Sequence, residues 1–176
     1  ADPQMTFEEA SALRDFTVNS IGFDPIQQQW LDPHCGQEDL KKGILRHVGP
    51  AFAEDPLRVL RGAQFAARLN FQLAPETLEL CQTLDLNELS RERLLSEFKK
   101  LLLRAERPSI GLEILRQTKT LRFFPELEAL VDVPQDPKWH PEGCVWTHTL
   151  MVVDEAAKLR VGEEKADLVL MFGALC

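Results

Sequence analysis

The sequence predicts a mainly α-helical protein that carries a small α/β part in its first fifty residues. From Glu54 onward, apolar residues recur at the spacing of amphipathic helices almost to the end of the chain. Short β-prone pieces occur only before residue 50, around Asp-Pro turn signals. A proline-rich stretch, VDVPQDPKWHPEG at 131–143, interrupts the helical pattern and is the best candidate for a linker.

The first fifty residues are predicted to mix helix and strand. FEEASALRDFTVNS at 7–20 has the pattern of a short helix, and IGFDPIQQQWLDP at 21–33 that of a small hairpin. GQEDLKKG indicates a helical turn ended by Gly43, followed by the strand-like ILRHV. Further helices are predicted near 54–69, 75–83, 90–105, 108–117, 146–160 and 164–175.

Composition excludes several classes of protein. The chain has 176 residues and is 44% hydrophobic, enough to bury one or two cores, and its longest C-terminal apolar run is too short to span a bilayer. No export signal is visible, and four cysteines without CxxC spacing fit a reducing compartment, so we expect a cytoplasmic protein without a membrane partner. Because the chain stops within the apolar run LVLMFGALC, we expect an internal piece of a longer protein.

The charge distribution leaves nucleic-acid binding open. The net charge is −8, which alone argues against it. Residues 41–68, however, carry six Lys/Arg against two acids, and residues 91–122 carry nine against four. Two basic stretches in an acidic chain indicate either a phosphate-facing surface or ordinary solvated helix faces.

The strongest chemical signal in the sequence is the pair Asp55 and Arg58. On a helix over 54–69 they are neighbours on the polar face, opposite Leu57, Val59 and Leu60. A carboxylate only accepts hydrogen bonds and a guanidinium only donates them, which matches the Watson–Crick edge of cytosine or adenine but not of uracil or guanine. The alternative is an ordinary intrahelical ion pair, worth about 0.3–0.5 kcal/mol.

Four motifs together resemble the class II nucleotidyltransferases, a family of CCA-adding enzymes, split CC-adding and A-adding enzymes, and bacterial poly(A) polymerases. The motifs are LRDFTVNS, GQEDLKKGILRHV, FAEDPLRVLRGAQFAARLNF and SRERLLSEFKKLL, in the family's order and at about its spacing, and they cover about residues 10–130. The resemblance implies the C-terminal part of an α/β head followed by a helical neck and body.

The resemblance implies roles for the N-terminal motif residues. Asp15 would read the ribose hydroxyls of the incoming nucleotide and Arg14 would meet its phosphates, with Asn19 in the same motif. Leu13 replaces an arginine of the family pattern, which removes one possible phosphate contact. The next motif, carried by Asp39, Gly43 and Arg46, would act as a hinge between head and neck.

In the third motif, Asp55 and Arg58 would template C and then A, and Arg61 would add a phosphate contact. Gln64 stands where the family often has arginine and is expected to be structural. The fourth motif, Glu92, Arg93 and Glu97, would brace the nucleotide-binding helix. Its neighbours would contact tRNA phosphates: Lys99, Lys100 and Arg104.

The family's catalytic Asp-x-Asp pair, which holds two Mg²⁺ ions, is expected upstream of this chain. We therefore expect no catalytic residue within the 176 residues and no activity from this piece alone. WHPEGCVWTHTLMVVDEAA resembles the opening of an HD-domain phosphohydrolase, in which His148 matches the first metal-binding histidine. A His-Asp doublet is expected directly downstream, with a divalent metal as cofactor.

Other residues of this segment are given lesser roles. His140 would only shape the linker, and Trp139 and Trp146 would be packing residues. The predicted division is residues 1–50 for the end of the head, 51–130 for the neck and body, 131–145 for the linker and 146–176 for the start of the HD domain.

The predicted function is addition of CCA to the 3′ end of tRNA from CTP and ATP without a nucleic-acid template. A poly(A) polymerase and a split CC-adding or A-adding enzyme remain close alternatives. An HD phosphohydrolase with a degenerate transferase neck is a more distant alternative, and a non-enzymatic RNA-binding module is a third.

Overall fold

The computed structural model describes residues 4–175 and is mainly α-helical. Helix α1 spans Phe7–Ala12 and begins with a capping box, in which Thr6 and Glu9 satisfy each other's backbone N–H groups. The helix predicted over 7–20 is therefore too long. The chain leaves α1 because Phe16 is extended and pairs with His47, and only a 3₁₀ turn follows at Thr17–Asn19.

The predicted hairpin is confirmed. Strand β1 (Gly22–Asp24) pairs antiparallel with β2 (Gln29–Leu31). Helix α2 (Gly36–Lys42) ends at Gly43, whose φ of 68° lies in the left-handed region that glycine adopts without strain. Strand β3 is shorter than predicted, Ile44–Leu45, and pairs in parallel with β4 (Gln72–Leu73), which the sequence did not indicate.

Helix α3 spans Arg58–Leu69, so the prediction that it starts at residue 54 is wrong. A 3₁₀ turn at Pro50–Glu54 comes first, and Asp55 is extended, with φ −128° and ψ 96°. Pro56 sets the restriction, because a residue before proline disfavours the helical region. The apolar side of α3 is buried as the wheel predicts, including Val59 and Leu60.

Three further helices build the body: α4 (Pro75–Thr83), α5 (Arg91–Arg104) and α6 (Pro108–Gln117). Ser90 caps α5 by accepting the N–H of Arg93. Helices α5 and α6 pack on α3 around one core that contains Phe52, Leu102, Leu112 and Leu115. A 3₁₀ turn at Thr120–Phe123 and the short helix α7 (Pro125–Glu128) were not predicted.

The proline-rich stretch at 131–143 has no regular helix or strand, but backbone hydrogen bonds hold it in place. Gln135 N–H donates to Gly143 O at 3.0 Å and Val145 N–H to Val133 O at 2.9 Å. Helices α8 (Val145–Lys158) and α9 (Glu164–Leu175) follow as predicted to within two residues. No helix within residues 4–175 combines the length and apolar character that a bilayer crossing requires.

Polar contacts join α8 and the residues after it to the body. Asp154 accepts the backbone N–H of Ser109 at 3.0 Å and its hydroxyl at 2.7 Å, and so caps the start of α6. Arg160 donates to the carbonyls of Leu102 and Ala105, both at 2.7 Å, and so satisfies the end of α5. Trp146 is 4% exposed and packs against the core, as predicted.

Candidate functional site

Asp15 is the best-anchored carboxylate of the candidate site. Its Oδ2 accepts from Arg61 Nε at 2.7 Å and lies 2.6 Å from Arg61 Nη2. Its Oδ1 accepts the N–H of Phe16 at 2.9 Å and the side-chain amide of Asn19 at 3.0 Å. Three of the predicted residues thus form one network. Gly62 on α3 leaves room for Phe16 beside this network, because a Cβ there would stand only 3.2 Å from the Phe16 ring.

Asp55 and Arg58 do not bond to each other, so the simple intrahelical ion pair is wrong. Asp55 Oδ2 accepts from Arg93 at 2.7 Å, and its Oδ1 accepts the N–H of Leu57 at 3.2 Å. Arg58 donates to the carbonyls of Ala51 and Leu13, each at 2.7 Å. Both side chains are half-buried and are held separately at the start of α3.

The start of α3 therefore gathers the predicted residues from three distant segments. Arg58 reaches back to Leu13, next to Arg14, while Arg61 reaches Asp15 and Arg93 arrives from α5. Arg14 is exposed and has no side-chain partner within residues 4–175. Arg14 therefore offers a guanidinium without an internal partner, and such a group can pair with a phosphate.

The hinge motif forms its own network next to this site. Asp39 is buried and accepts from Thr17 at 2.8 Å and from Arg46 Nε at 3.0 Å. Arg46 also contacts Glu76 on α4. The motif therefore links the segment that carries Asp15 to the helical body.

The three cations predicted to meet RNA lie along α5 but differ in their surroundings. Lys100 is paired with the buried Glu97 at 2.6 Å, and Lys99 reaches Glu164 on α9 at 3.3 Å. Arg104 is exposed, and no described residue pairs with its side chain. Gln64, expected to be structural, is 1% exposed and accepts from Arg68 at 3.2 Å.

A second polar cluster consists of His140, Glu142 and His148, and we call it the His–Glu cluster. Glu142 Oε1 lies 2.5 Å from His148 Nδ1 and 3.1 Å from His140 Nδ1, and the two imidazole rings meet edge to face at 5.1 Å. Ligand atoms from the three residues lie within 4.8 Å of one another, which is close enough to surround a metal ion. Hydrogen bonds from its own backbone and from the histidines lower the pKa of Glu142 to about 2.

Two sequence predictions about this segment are wrong. His140 does not merely shape the linker, because it lies beside His148. Trp139 is not a packing residue, because it is 70% exposed, with the Lys138 ammonium 4.8 Å from its ring. Sequence reasoning missed Glu142 altogether, although the spacing His-x-Glu-x₅-His was a usable signal.

A family model described as "Probable RNA and SrmB- binding site of polymerase A" matches residues 70–130. The multifunctional CCA protein of Xylella fastidiosa (strain 9a5c) is 44% identical over 184 residues, covering 100% of this chain and 43% of the relative. The corresponding protein of Nitrosococcus oceani is 44% identical over 180 residues, covering 99% of this chain and 43% of the relative.

Solved structures agree with these sequence matches. A tRNA-processing enzyme with CTP has a TM-score of 0.68 at 29% identity, covering 98% of this chain and 48% of that one. The CCA-adding enzyme of Bacillus stearothermophilus in complex with CTP has a TM-score of 0.58 at 36% identity, covering 62% of this chain and 29% of that one.

The mainly α-helical fold is that of the solved tRNA-processing and CCA-adding enzymes. The chain belongs to the family of CCA-adding enzymes and bacterial poly(A) polymerases. It spans about 43% of the length of the curated relatives that it matches.

Proposed function

We propose that the protein adds CCA to the 3′ end of tRNA, using CTP and ATP and no nucleic-acid template. One observation carries the proposal: Asp15 of the first motif and Arg93 of the fourth motif bond to Arg61 and Asp55 of the third motif, and so all of them meet at the start of α3. The relatives named multifunctional CCA proteins support it.

Base selection follows from the chemistry of Asp55 and Arg58. A carboxylate at Asp55 accepts the exocyclic amine of cytosine or adenine, and a guanidinium at Arg58 donates to the ring nitrogen. With uracil or guanine, the Asp55 carboxylate would face a carbonyl oxygen and the Arg58 guanidinium would face a ring N–H, so neither hydrogen bond could form. Such mismatches support a preference for cytosine and adenine of roughly 10⁴ or more. Because both side chains are half-buried and bonded to protein groups, the incoming base replaces contacts that the protein itself supplies.

Ribose and phosphate recognition belong to the Asp15 network in this proposal. A carboxylate held by Arg61 and Asn19 is fixed in position and can accept from a ribose 2′-OH, which distinguishes NTP from dNTP. Arg14 and Arg61 supply guanidinium groups, which suit phosphate oxygens. Along α5, Lys99, Lys100 and Arg104 would contact tRNA phosphates without reading sequence.

The two Mg²⁺ ions of the reaction are proposed to bind outside the described residues. The one group within residues 4–175 that could surround a metal is the His–Glu cluster, and two imidazoles do not suit Mg²⁺, which prefers oxygen ligands. The nucleotide-selecting residues therefore hold and choose the substrate, and metal-assisted transfer is left to carboxylates elsewhere in the protein. A cytoplasmic location is part of the same proposal, because tRNA, CTP and ATP are found there.

The test uses the full-length protein with a tRNA that lacks its 3′ end. It is incubated with CTP, ATP, both, or UTP and GTP, and the 3′ termini are sequenced. Complete CCA ends with both nucleotides are expected, with loss of C/A selectivity in Asp55→Ala and Arg58→Ala. Glu79→Ala, an exposed carboxylate on α4, is the matched control and should leave the product unchanged.

Other products in this assay would contradict CCA addition and identify a different activity. A long A tail would identify a poly(A) polymerase. Addition that stops at CC would identify a split CC-adding enzyme, and addition that needs a CC primer would identify a split A-adding enzyme. No addition at all would favour hydrolysis as the main activity.

A second candidate activity, metal-dependent phosphoester hydrolysis, rests on the His–Glu cluster. Imidazole ligands suit transition metals that activate water for attack on phosphorus. The expected result is release of p-nitrophenol from bis-p-nitrophenyl phosphate that EDTA abolishes and His148→Ala removes. Hydrolysis unaffected by either treatment would exclude this candidate.

A further inference from the structure

The His–Glu cluster is assembled from two short segments that the fold holds together. His140 and Glu142 lie on the loop before α8, and His148 lies on the first turn of α8. The loop is closed by the Gln135–Gly143 and Val133–Val145 hydrogen bonds, and Gly143 turns it with a φ of 96°. Glu142 is therefore placed against the helix by backbone contacts that do not depend on the imidazoles.

The hydrogen bonds of Glu142 determine which ring nitrogen of each histidine carries the proton. A carboxylate only accepts, so an imidazole nitrogen that bonds to it carries the proton. Both His140 and His148 contact Glu142 Oε1 through Nδ1. In each neutral ring the lone pair then lies on Nε2, the nitrogen on the far side from Glu142. No described residue bonds to either Nε2.

We propose that His140 is a second metal ligand beside His148, and that Glu142 positions both rings so that each offers Nε2 to the metal. This inference rests on the metal-dependent hydrolase activity proposed above and assigns a role to each residue of the cluster, whereas the family resemblance pointed to His148 alone. A carboxylate behind a ligating histidine fixes its tautomer and raises its basicity, which increases metal affinity.

The ligands of the proposed site indicate the kind of metal, and a neighbouring cavity leaves room for a substrate. Two imidazoles favour a transition metal such as Zn²⁺ or Co²⁺ over Mg²⁺ or Ca²⁺. The cluster borders a cavity of about 900 Å³ that is also lined by Trp139, Met151 and Val169. Two ligands from this chain leave coordination positions open toward that cavity.

The first measurement is metal affinity in the full-length protein. Co²⁺ is titrated in the presence of excess Mg²⁺ and followed by visible absorption, for the parent and for His140→Ala, Glu142→Gln and His148→Ala. Glu142→Gln and His140→Ala are each expected to weaken Co²⁺ binding by about 10–100-fold. Glu155→Gln removes an exposed carboxylate from the same cavity, where it pairs with Lys158 rather than a histidine, and should not change the affinity.

The second measurement separates positioning from direct ligation by Glu142. Long-range ¹H–¹⁵N NMR of the metal-free protein should show His140 and His148 protonated on Nδ1, and Glu142→Gln should shift both toward mixed tautomers. Thermal melting confirms that each variant folds. Parent-like Co²⁺ affinity in folded His140→Ala or Glu142→Gln, or Nε2 protonation in the parent, would overturn the proposal.

These readouts fail independently of the proposed activities. CCA addition is measured on tRNA ends and does not involve the cluster. A parent protein that binds Co²⁺ but does not hydrolyse bis-p-nitrophenyl phosphate would reject the hydrolase activity and leave His140 and His148 as metal ligands.

Discussion

Asp55 and Arg58 each have a protein partner that a nucleotide would have to replace or share. Asp55 is held by Arg93 and Arg58 by two backbone carbonyls, so neither is a free recognition group. Half-buried polar groups lose free energy when left unpaired, which explains why these partners are present.

Arg93→Gln should impair nucleotide addition far more than it impairs folding. Its bond to Asp55 is half-exposed, so the free energy of unfolding should fall by no more than about 1 kcal/mol. A misplaced Asp55 should lower kcat/KM for CTP and ATP by roughly tenfold to a hundredfold. Single-nucleotide extension kinetics and urea unfolding measure the two effects. Arg91→Gln, on an exposed position of the same helix, is the control, and equal effects of both variants would contradict the role of Arg93.

His47 should make stability depend on pH. Burial, together with the nearby Arg46, lowers its pKa below the ordinary 6.5. The unfolded chain therefore takes up a proton first as pH falls through 6.5, and stability declines until the folded-state pKa is passed. Thr77 can support the neutral ring, because its hydroxyl accepts the backbone N–H of His47 at 3.0 Å and lies 2.8 Å from Nδ1, to which it can donate.

The comparison is urea unfolding at pH 7.5 and pH 5.5. His47→Gln should lose less stability between these two pH values than the parent does. His34→Gln, whose ring bonds Ser11 instead, should keep the parent's slope. An unchanged slope in His47→Gln would show that another group is responsible.

At the scale of elements, the body depends on the close approach of α3 and α6. Gly111 on α6 makes this possible, because a Cβ there would lie 2.4 Å from Leu101 Cδ1 and 2.6 Å from the carbonyl oxygen of Ala63. A backbone oxygen cannot move aside as a side chain can. The site at the start of α3 therefore rests on the packing of α6 as well as on its own hydrogen bonds.

Gly111→Ala should destabilise the protein by about 1–3 kcal/mol, because the added methyl overpacks this contact. Gly173→Ala in α9 is the matched control: nothing lies within 4 Å of its added Cβ, and the better helix former should stabilise by about 0.5–1 kcal/mol. Chemical unfolding of both variants measures the difference. Equal changes in the two would mean that α3 and α6 separate without cost.

At the scale of the whole molecule, helix-end contacts attach α8 and α9 to the body. Asp154 caps α6 and Arg160 satisfies the last carbonyls of α5. Helices α5 and α9 also pack on each other, and the Lys99–Glu164 pair lies at this seam. The basic stretch of α5 and the His–Glu cluster are therefore parts of one connected helical assembly.

Asp154→Ala combined with Arg160→Ala should loosen α8 and α9 without unfolding α3. Two lost caps at about 1 kcal/mol each predict roughly thirtyfold faster amide exchange in α8 and α9. Hydrogen exchange with mass spectrometry resolves the helices separately. Lys158→Ala, which removes an exposed pair on α8, is the control. Equal acceleration in α3 would indicate global destabilisation instead.

The sequence by itself determined the helical class, most helix positions and the family, and it predicted nucleotide-binding residues that the fold brings together at the start of α3. It could do so because apolar periodicity, turn residues and motif spacing are local, and each motif keeps its order along the chain. It overextended α1 and α3, since the extended conformations of Phe16 and Asp55 come from pairing with His47 and from the proline that follows Asp55.

Only the tertiary structure decided which polar groups bond. Sequence spacing suggested Asp55 with Arg58, but the partners of Asp55 and Asp15 are Arg93 and Arg61, 38 and 46 residues away. The same holds for the His–Glu cluster, where a closed loop brings His140 and Glu142 to a helical histidine. Hydrogen bonds depend on distances of about 3 Å and on direction, and packing between remote segments sets both.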